Sequence, residues 1–164
     1  MVETKRSAND MIVDPADLPA ESGSPYPSPH DQFVVGRTRS RLSPALGLSA
    51  FGVNLLRIEP GAQSSARHWH SEQDEFVYVL EGEATLVTDE GETTLSAGMA
   101  AGFPAGNPNG HTLANRSDAD VLVLEVGNRP REEDVTYPDI DMRNDVREGK
   151  PHFLKKDGSA FEAD

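Results

Sequence analysis

Three of the five histidines stand in a pattern that metal chemistry explains. His68 and His70 are two residues apart, Glu75 follows a short polar turn, and His111 sits in a second block punctuated by glycine and proline. Side chains of a strand alternate with a period of two, so two imidazoles at this spacing share a face of an extended segment. A carboxylate and a third imidazole reaching that face complete a four-ligand site with open positions. Three neutral imidazoles and one carboxylate suit one divalent transition metal such as Zn, Fe, Mn or Ni. Around an octahedral ion such a set leaves about two adjacent positions for water or substrate. The site then carries a charge of about +1 and favours a ligand with two neighbouring oxygens.

Glu72 and Asp74 keep the parity of His68 and His70, whereas Glu75 opens the run Phe76-Val77-Tyr78-Val79. A barrel site is assembled from adjacent strands, so a ligand at the start of the next strand is the more natural one, and Glu75 is the expected ligand. Glu72 is left for the rim, as the candidate catalytic base of a proton transfer. Alternation nominates three substrate contacts: Phe103 as an apolar wall, Asn115 on the face of His111 and Leu113, and Arg57 for an anionic group. An exposed strand-end charge is the commoner role for an arginine placed like Arg57. Arg37, Arg39 and Arg41 also alternate, and a solvated edge strand is the expected role for them, ahead of an anion site. Trp69 and Arg67 fall on the face opposite His68, and Tyr78 on the face opposite Glu75. Trp69 and Tyr78 are therefore expected to pack or to line a dimer interface. His152 has no ligand-spaced neighbour and reads as a surface or packing histidine.

The elements that must position these residues are short strands. Leu48 to Ile58 is compatible with β structure and stops at Glu59-Pro60-Gly61. Glu75 to Leu80, Ala84 to Thr88, and Glu92 to Leu95 follow, with turns at Glu81-Gly82 and Asp89-Glu90-Gly91. Met99 to Phe103, His111 to Asn115 and Val121 to Val126 complete the series. Short runs with turns between them and no amphipathic helix argue for an all-β sandwich or barrel. Residues 1–44 read as an irregular N-terminal arm, because Pro15, Pro19, Pro25, Pro27 and Pro29 interrupt any helix or central strand. The barrel is expected over 45–128. Residues 129–164 form a charged C-terminal extension, anchored by Tyr137 to Ile140 and Pro151 to Leu154, that wraps the barrel or frays.

Length bounds the chain to one domain with room for a core. The absence of cysteine removes disulfides, thiolate metal sites and cysteine nucleophiles. A formal net charge of −13 disfavours nucleic acid and anionic membranes as partners. No run approaches the roughly 20 apolar residues of a membrane span. Met1 to Asp10 mixes both charge signs with no apolar run after it, so no secretory signal is read and a cytoplasmic location is expected. No helix-turn-helix pattern precedes the barrel.

Gly61 to Gly82 and Gly98 to Asn115 resemble the two motifs of the cupin superfamily, G-x5-H-x-H-x3,4-E-x6-G and G-x5-P-x-G-x2-H-x3-N. His68, His70, Glu75 and Gly82 fall on the first, and Gly98, Pro104, Gly106, His111 and Asn115 on the second. Residues 83–97 separate them. Gly61 lies one residue too far from His68, and Gly106 two residues too far from His111. An extra residue is harmless in a turn, but in a strand it requires a bulge. The resemblance implies a double-stranded β-helix, or jelly roll, with a metal inside one end and two subunits paired as a homodimer. Cupins include isomerases, epimerases, dioxygenases, decarboxylases and lyases. The expectation is thus a metal-dependent enzyme, isomerase or dioxygenase-like, acting on a small oxygenated metabolite (a sugar, sugar phosphate, keto acid or hydroxy acid). The alternative is a cupin barrel that binds a small molecule without turning it over.

Overall fold

Alternation of apolar and polar residues over 51–128 builds the strands of a rolled set of three antiparallel sheets. The computed structural model describes residues 11–162. The signal-peptide reading of Met1 to Asp10 falls outside them. The strands are β1 (Glu21–Ser22), β2 (Arg37–Arg41), β3 (Phe51–Ile58), β4 (Trp69–His70), β5 (Glu75–Glu81), β6 (Glu83–Thr88) and β7 (Gly91–Ser96). They continue as β8 (Ala100–Phe103), β9 (Thr112–Ala114), β10 (Val121–Asn128), β11 (Glu133–Tyr137), β12 (Met142–Arg147) and β13 (Lys150–Leu154). One sheet runs β1-β2-β3-β10-β5-β8, a second β13-β12-β11-β4, and a third β7-β6-β9. All pairings are antiparallel. The architecture is the all-β jelly roll that the sequence predicts.

Register decides which side chains meet. β10 lies between β3 and β5, with Val123 opposite Leu56 on one side and Val79 on the other. These inward residues join Ile58, Val77, Leu95, Leu113 and Val121 in the barrel core. Each such aliphatic side chain contributes about 1.5–3 kcal/mol on full burial. Gly82 turns β5 into β6 at φ +77°, and a Cβ there would come within 2.6 Å of the Asp120 carbonyl. Only glycine fits that corner.

The flanking segments hold more structure than their sequence announces. The proline-rich arm supplies β1 and β2 to the large sheet and one helical turn, α1 (Leu42–Leu46), ended by Gly47 at φ +69°. The charged extension folds into the meander β11–β12–β13, whose first strand pairs with β4. It wraps rather than frays. Val135, Tyr137 and Met142 from this meander bury with Ala66 in a second core, against Tyr26 and Phe33 from the arm and Phe153 and Phe161 from the C-terminal end.

The triplet on β2 corrects an expectation. β2 is an inner strand, paired with β1 and β3, and of its alternate arginines Arg37 and Arg39 line an interior cavity while Arg41 is exposed. Arg37 is only 6% exposed, so a solvated edge is not its setting. The sheet edge is β1, two exposed polar residues too short to leave a periodic trace in the sequence.

Candidate metal centre

Two backbone hydrogen bonds set the centre. His68 N donates to His111 O at 3.1 Å, and His111 N donates to His68 O at 2.8 Å. The two residues are thus directly opposed across an antiparallel bridge, and their rings stand 4.8 Å apart on one face. His70 follows on β4 with its ring 4.9 Å from that of His68. Glu75, the first residue of β5, reaches all three imidazoles. Its Oε2 lies 2.9 Å from His111 Nε2, 3.4 Å from His70 Nε2 and 3.6 Å from His68 Nε2. The donor atoms of His68, His70 and Glu75 all lie within 4.8 Å of one another, and His111 joins them through Glu75. All three excess motif residues fall outside the named strands, one between Gly61 and His68 and two in the loop between Gly106 and His111.

The opposite nitrogens are anchored. His70 Nδ1 is 3.2 Å from Glu133 Oε2, and His68 Nδ1 is 2.9 Å from the Ala66 carbonyl. These contacts orient the rings with Nε2 toward Glu75, as supporting partners do for metal-binding histidines. His70 Nε2 is buried and has no hydrogen-bond partner. An orphaned buried ring nitrogen beside a carboxylate and two more imidazoles is what a divalent cation satisfies, so the residues present fit a metal. Burial pushes Glu75 upward, but the His111 hydrogen bond and the adjacent imidazoles of His68 and His70 outweigh it and hold the carboxylate well below its usual range. Burial alone would lower His70; Glu133 and Glu75 reverse this and lift it to about 10. Burial lowers His111, against the hydrogen bond to Glu75.

The centre opens into a cavity of about 460 Å³. Phe103 lines it, stacked parallel on His111 with ring centroids 3.6 Å apart, so an apolar wall does stand beside the third imidazole. Three other nominated residues lie elsewhere. Glu72 is exposed on the outer rim near Asp134 and Arg147, because β4 ends at His70 and the bend at Ser71 cancels its parity. Asn115 is buried, and its amide donates at 2.8 Å to the carbonyls of both Ile58 and Ala119. It fastens a turn outside the cavity. Arg57 sits on the outer face of β3 and pairs with Asp120 at 3.0 Å. Tyr78 is partly exposed on the outer face of the large sheet, Trp69 is half-buried beside a smaller cavity, and His152 is exposed.

Sequence reasoning missed several residues that line the cavity. Arg37 and Arg39 come from β2, Glu125 from β10, Arg129 and Arg131 from the link to β11, and Glu133 from β11. Arg37 donates to the carbonyls of Ser64 at 2.8 Å and Gly23 at 2.7 Å. Burial, and then the neighbouring charge of Arg39, lower it to about 10. Glu125 accepts from Asn54 Nδ2 at 2.9 Å and lies 3.6 Å from Arg39. The arginine triplet was the one signal available for these; Glu133 had none, since it sits in a run of mixed acids.

The cupin domain model matches residues 54–127, the segment holding all four clustered side chains. A crystal structure from Silicibacter pomeroyi, of a protein called a sugar phosphate isomerase of the cupin superfamily, is 47% identical. The match covers 93% of this chain and 97% of that one, with a TM-score of 0.88. A provisionally named sugar phosphate isomerase from Acidithiobacillus ferrooxidans shares the fold at 23% identity and a TM-score of 0.78, over 96% of this chain and 100% of that one. A polyketide cyclase from Streptomyces resistomycificus shares it at 23% identity and a TM-score of 0.62, over 79% and 85%. A comparison with curated proteins finds no match. With both motifs folded onto one cluster, and a relative of this identity matching nearly end to end, the chain belongs to the cupin superfamily.

Proposed function

We propose that this cupin is a metal-dependent enzyme that isomerises a small phosphorylated sugar. The observation that carries the reading is the convergence of His68, His70, Glu75 and His111 at the floor of a cavity sized for a small metabolite. The name of the Silicibacter pomeroyi relative supports the reaction class. Those four residues would hold one divalent transition metal, which supplies a Lewis acid for the carbonyl and hydroxyl oxygens of the substrate.

The chain's own residues do the rest. Isomerisation moves a proton between neighbouring carbons of a hydroxy-carbonyl compound and needs no co-reactant. It requires a carboxylate within the cavity that is not committed to an imidazole. Of the three glutamates lining the cavity, Glu75 and Glu133 contact histidines and Glu125 does not. Glu125 therefore takes the proton-transfer role that the sequence offered to Glu72. Asn54 and Arg39 hold its carboxylate in place, and Phe103 keeps water from one side of His111. We also propose a homodimer formed through the apolar outer face of the large sheet. No described helix is long and apolar enough to cross a membrane.

The test has two parts. Metal analysis of protein purified without added metal is expected to find about one ion per chain, lost in both His68→Ala and His111→Ala. Unchanged content in both variants would place the ion elsewhere. The metal-loaded enzyme is then screened on sugar phosphates, keto acids and catechols. Turnover of a sugar phosphate that collapses in Glu125→Gln supports the reading. A full complement of metal with no turnover, and a tightly held ligand carried through purification, points instead to a binding barrel.

A further inference from the structure

The arginines divide into two groups. Away from the cavity, each described arginine meets a carboxylate: Arg41 with Glu21, Arg57 with Asp120, Arg67 with Asp89 and Asp139, Arg116 with Glu92, Arg143 with Asp145, and Arg147 with Asp134. Four arginines line the cavity, and among these only Arg39 has a carboxylate within reach, Glu125 at 3.6 Å. Arg37 spends its two terminal nitrogens on backbone carbonyls, and Arg129 and Arg131 form no ion pair among the described residues. The Nε atoms of Arg37 and Arg39 are buried without a hydrogen-bond partner. Acids are not scarce, with 28 Asp and Glu against 15 Lys and Arg. Cationic groups are thus gathered around one hollow of an acidic protein, with Arg37 buried, Arg39 half-buried, and Arg129 and Arg131 exposed and without an ion pair among the described residues, so that guanidinium donors remain for an incoming anion.

The backbone makes room for it. Gly52 and Gly127 face each other across β3 and β10 at the cavity wall. A Cβ at Gly52 would come within 2.8 Å of Arg129 Nη2, so the missing side chain is what lets the guanidinium lie against the sheet. Guanidinium forks grip phosphate oxygens in pairs. A carboxylate satisfies one fork, whereas a phosphate monoester offers three oxygens and about two charges to several forks.

We propose that Arg37, Arg39, Arg129 and Arg131 form a phosphate-binding subsite in the metal cavity, built of protein groups alone and separate from the ion. Assigning that phosphate to the substrate rests on the isomerase reading; the subsite itself does not. It makes the enzyme selective for phosphorylated substrates by gripping the end that does not react.

Binding of inorganic phosphate to the full chain tests this by calorimetry, with metal bound and after chelation. Wild type, Arg39→Gln, Arg39→Lys and the surface control Arg116→Gln are compared, with thermal melts to confirm folding. Phosphate is expected to bind wild type in both metal states. Arg39→Gln weakens it about tenfold or more, Arg39→Lys weakens it less, and Arg116→Gln matches wild type. Should Arg39→Gln fail to fold, Arg39→Lys carries the comparison, since it keeps the charge and loses the fork. Phosphate binding that is absent in wild type, vanishes on chelation, or is unchanged by both Arg39 substitutions overturns the subsite. Acetate binding as tightly as phosphate overturns the phosphate assignment. If phosphate binds as expected but no sugar phosphate is turned over, the subsite stands and the isomerase reading falls.

Discussion

The link from Glu133 to His70 is where single atoms govern this centre. A metal takes the neutral imidazole, yet Glu133 and Glu75 hold the His70 proton up to about 10 against burial. In metal-free protein that proton is in place at neutral pH and must leave when a metal binds. Apparent metal affinity is therefore expected to climb with pH toward about 10 and to level off above it. Glu133→Gln removes the support at Nδ1. Titration of metal-free protein at several pH values checks the outcome: a flatter pH dependence, and affinity lower by about 10–100-fold on the alkaline plateau. An unaltered curve would mean that the 3.2 Å contact neither orients nor charges the ring.

The meander of β11, β12 and β13 shows what an element adds beyond the motifs. It pairs with β4, the strand of His70, and seals a core under the first imidazole: Tyr137 stacks on His68 at 5.7 Å. Met142 is fully buried there beside Val135 and Tyr137. Met142→Ala is expected to cost about 2–5 kcal/mol. The melting temperature then falls by roughly 5–15 °C. Trp69, on β4, reports the transition by fluorescence, which should remain a single step because the meander and the metal strand share hydrogen bonds. A melt that keeps the wild-type midpoint would show that the meander is only laid over the barrel.

At the scale of the whole molecule the outer face of the large sheet stands out. Register lines up Tyr78, Leu124 and Leu55 in one row and Phe76, Val126 and Val53 in the next. Phe51, Phe76, Tyr78, Leu80 and Met99 are exposed there and nearby. Contiguous apolar surface of this kind marks an interface more often than bare surface. The homodimer proposed above covers it. Light scattering is expected to return twice the chain mass of 17.8 kDa for wild type and a shift toward the single mass for Tyr78→Lys. A monomer in the wild type at micromolar concentration would end that proposal.

Local signals carried much of this protein. Strands β3, β5, β6, β8, β9 and β10 lie within a few residues of the positions that alternation and turn residues predict, because half-buried strands between glycine turns leave a period-two trace. The nearness of His68 to His70 followed from the same period. Parity holds only to the end of β4: the bend at Ser71 turns Glu72 out to an exposed position on the rim. Asn115 and Arg57 were assigned by face without knowing which face lined the cavity; one fastens a turn and the other pairs with Asp120. Glu133, Glu125 and the cavity arginines come from strands and links distant in sequence from the histidines. What places them beside the centre is sheet order and register, which arise from contacts between remote segments and leave no local pattern to read.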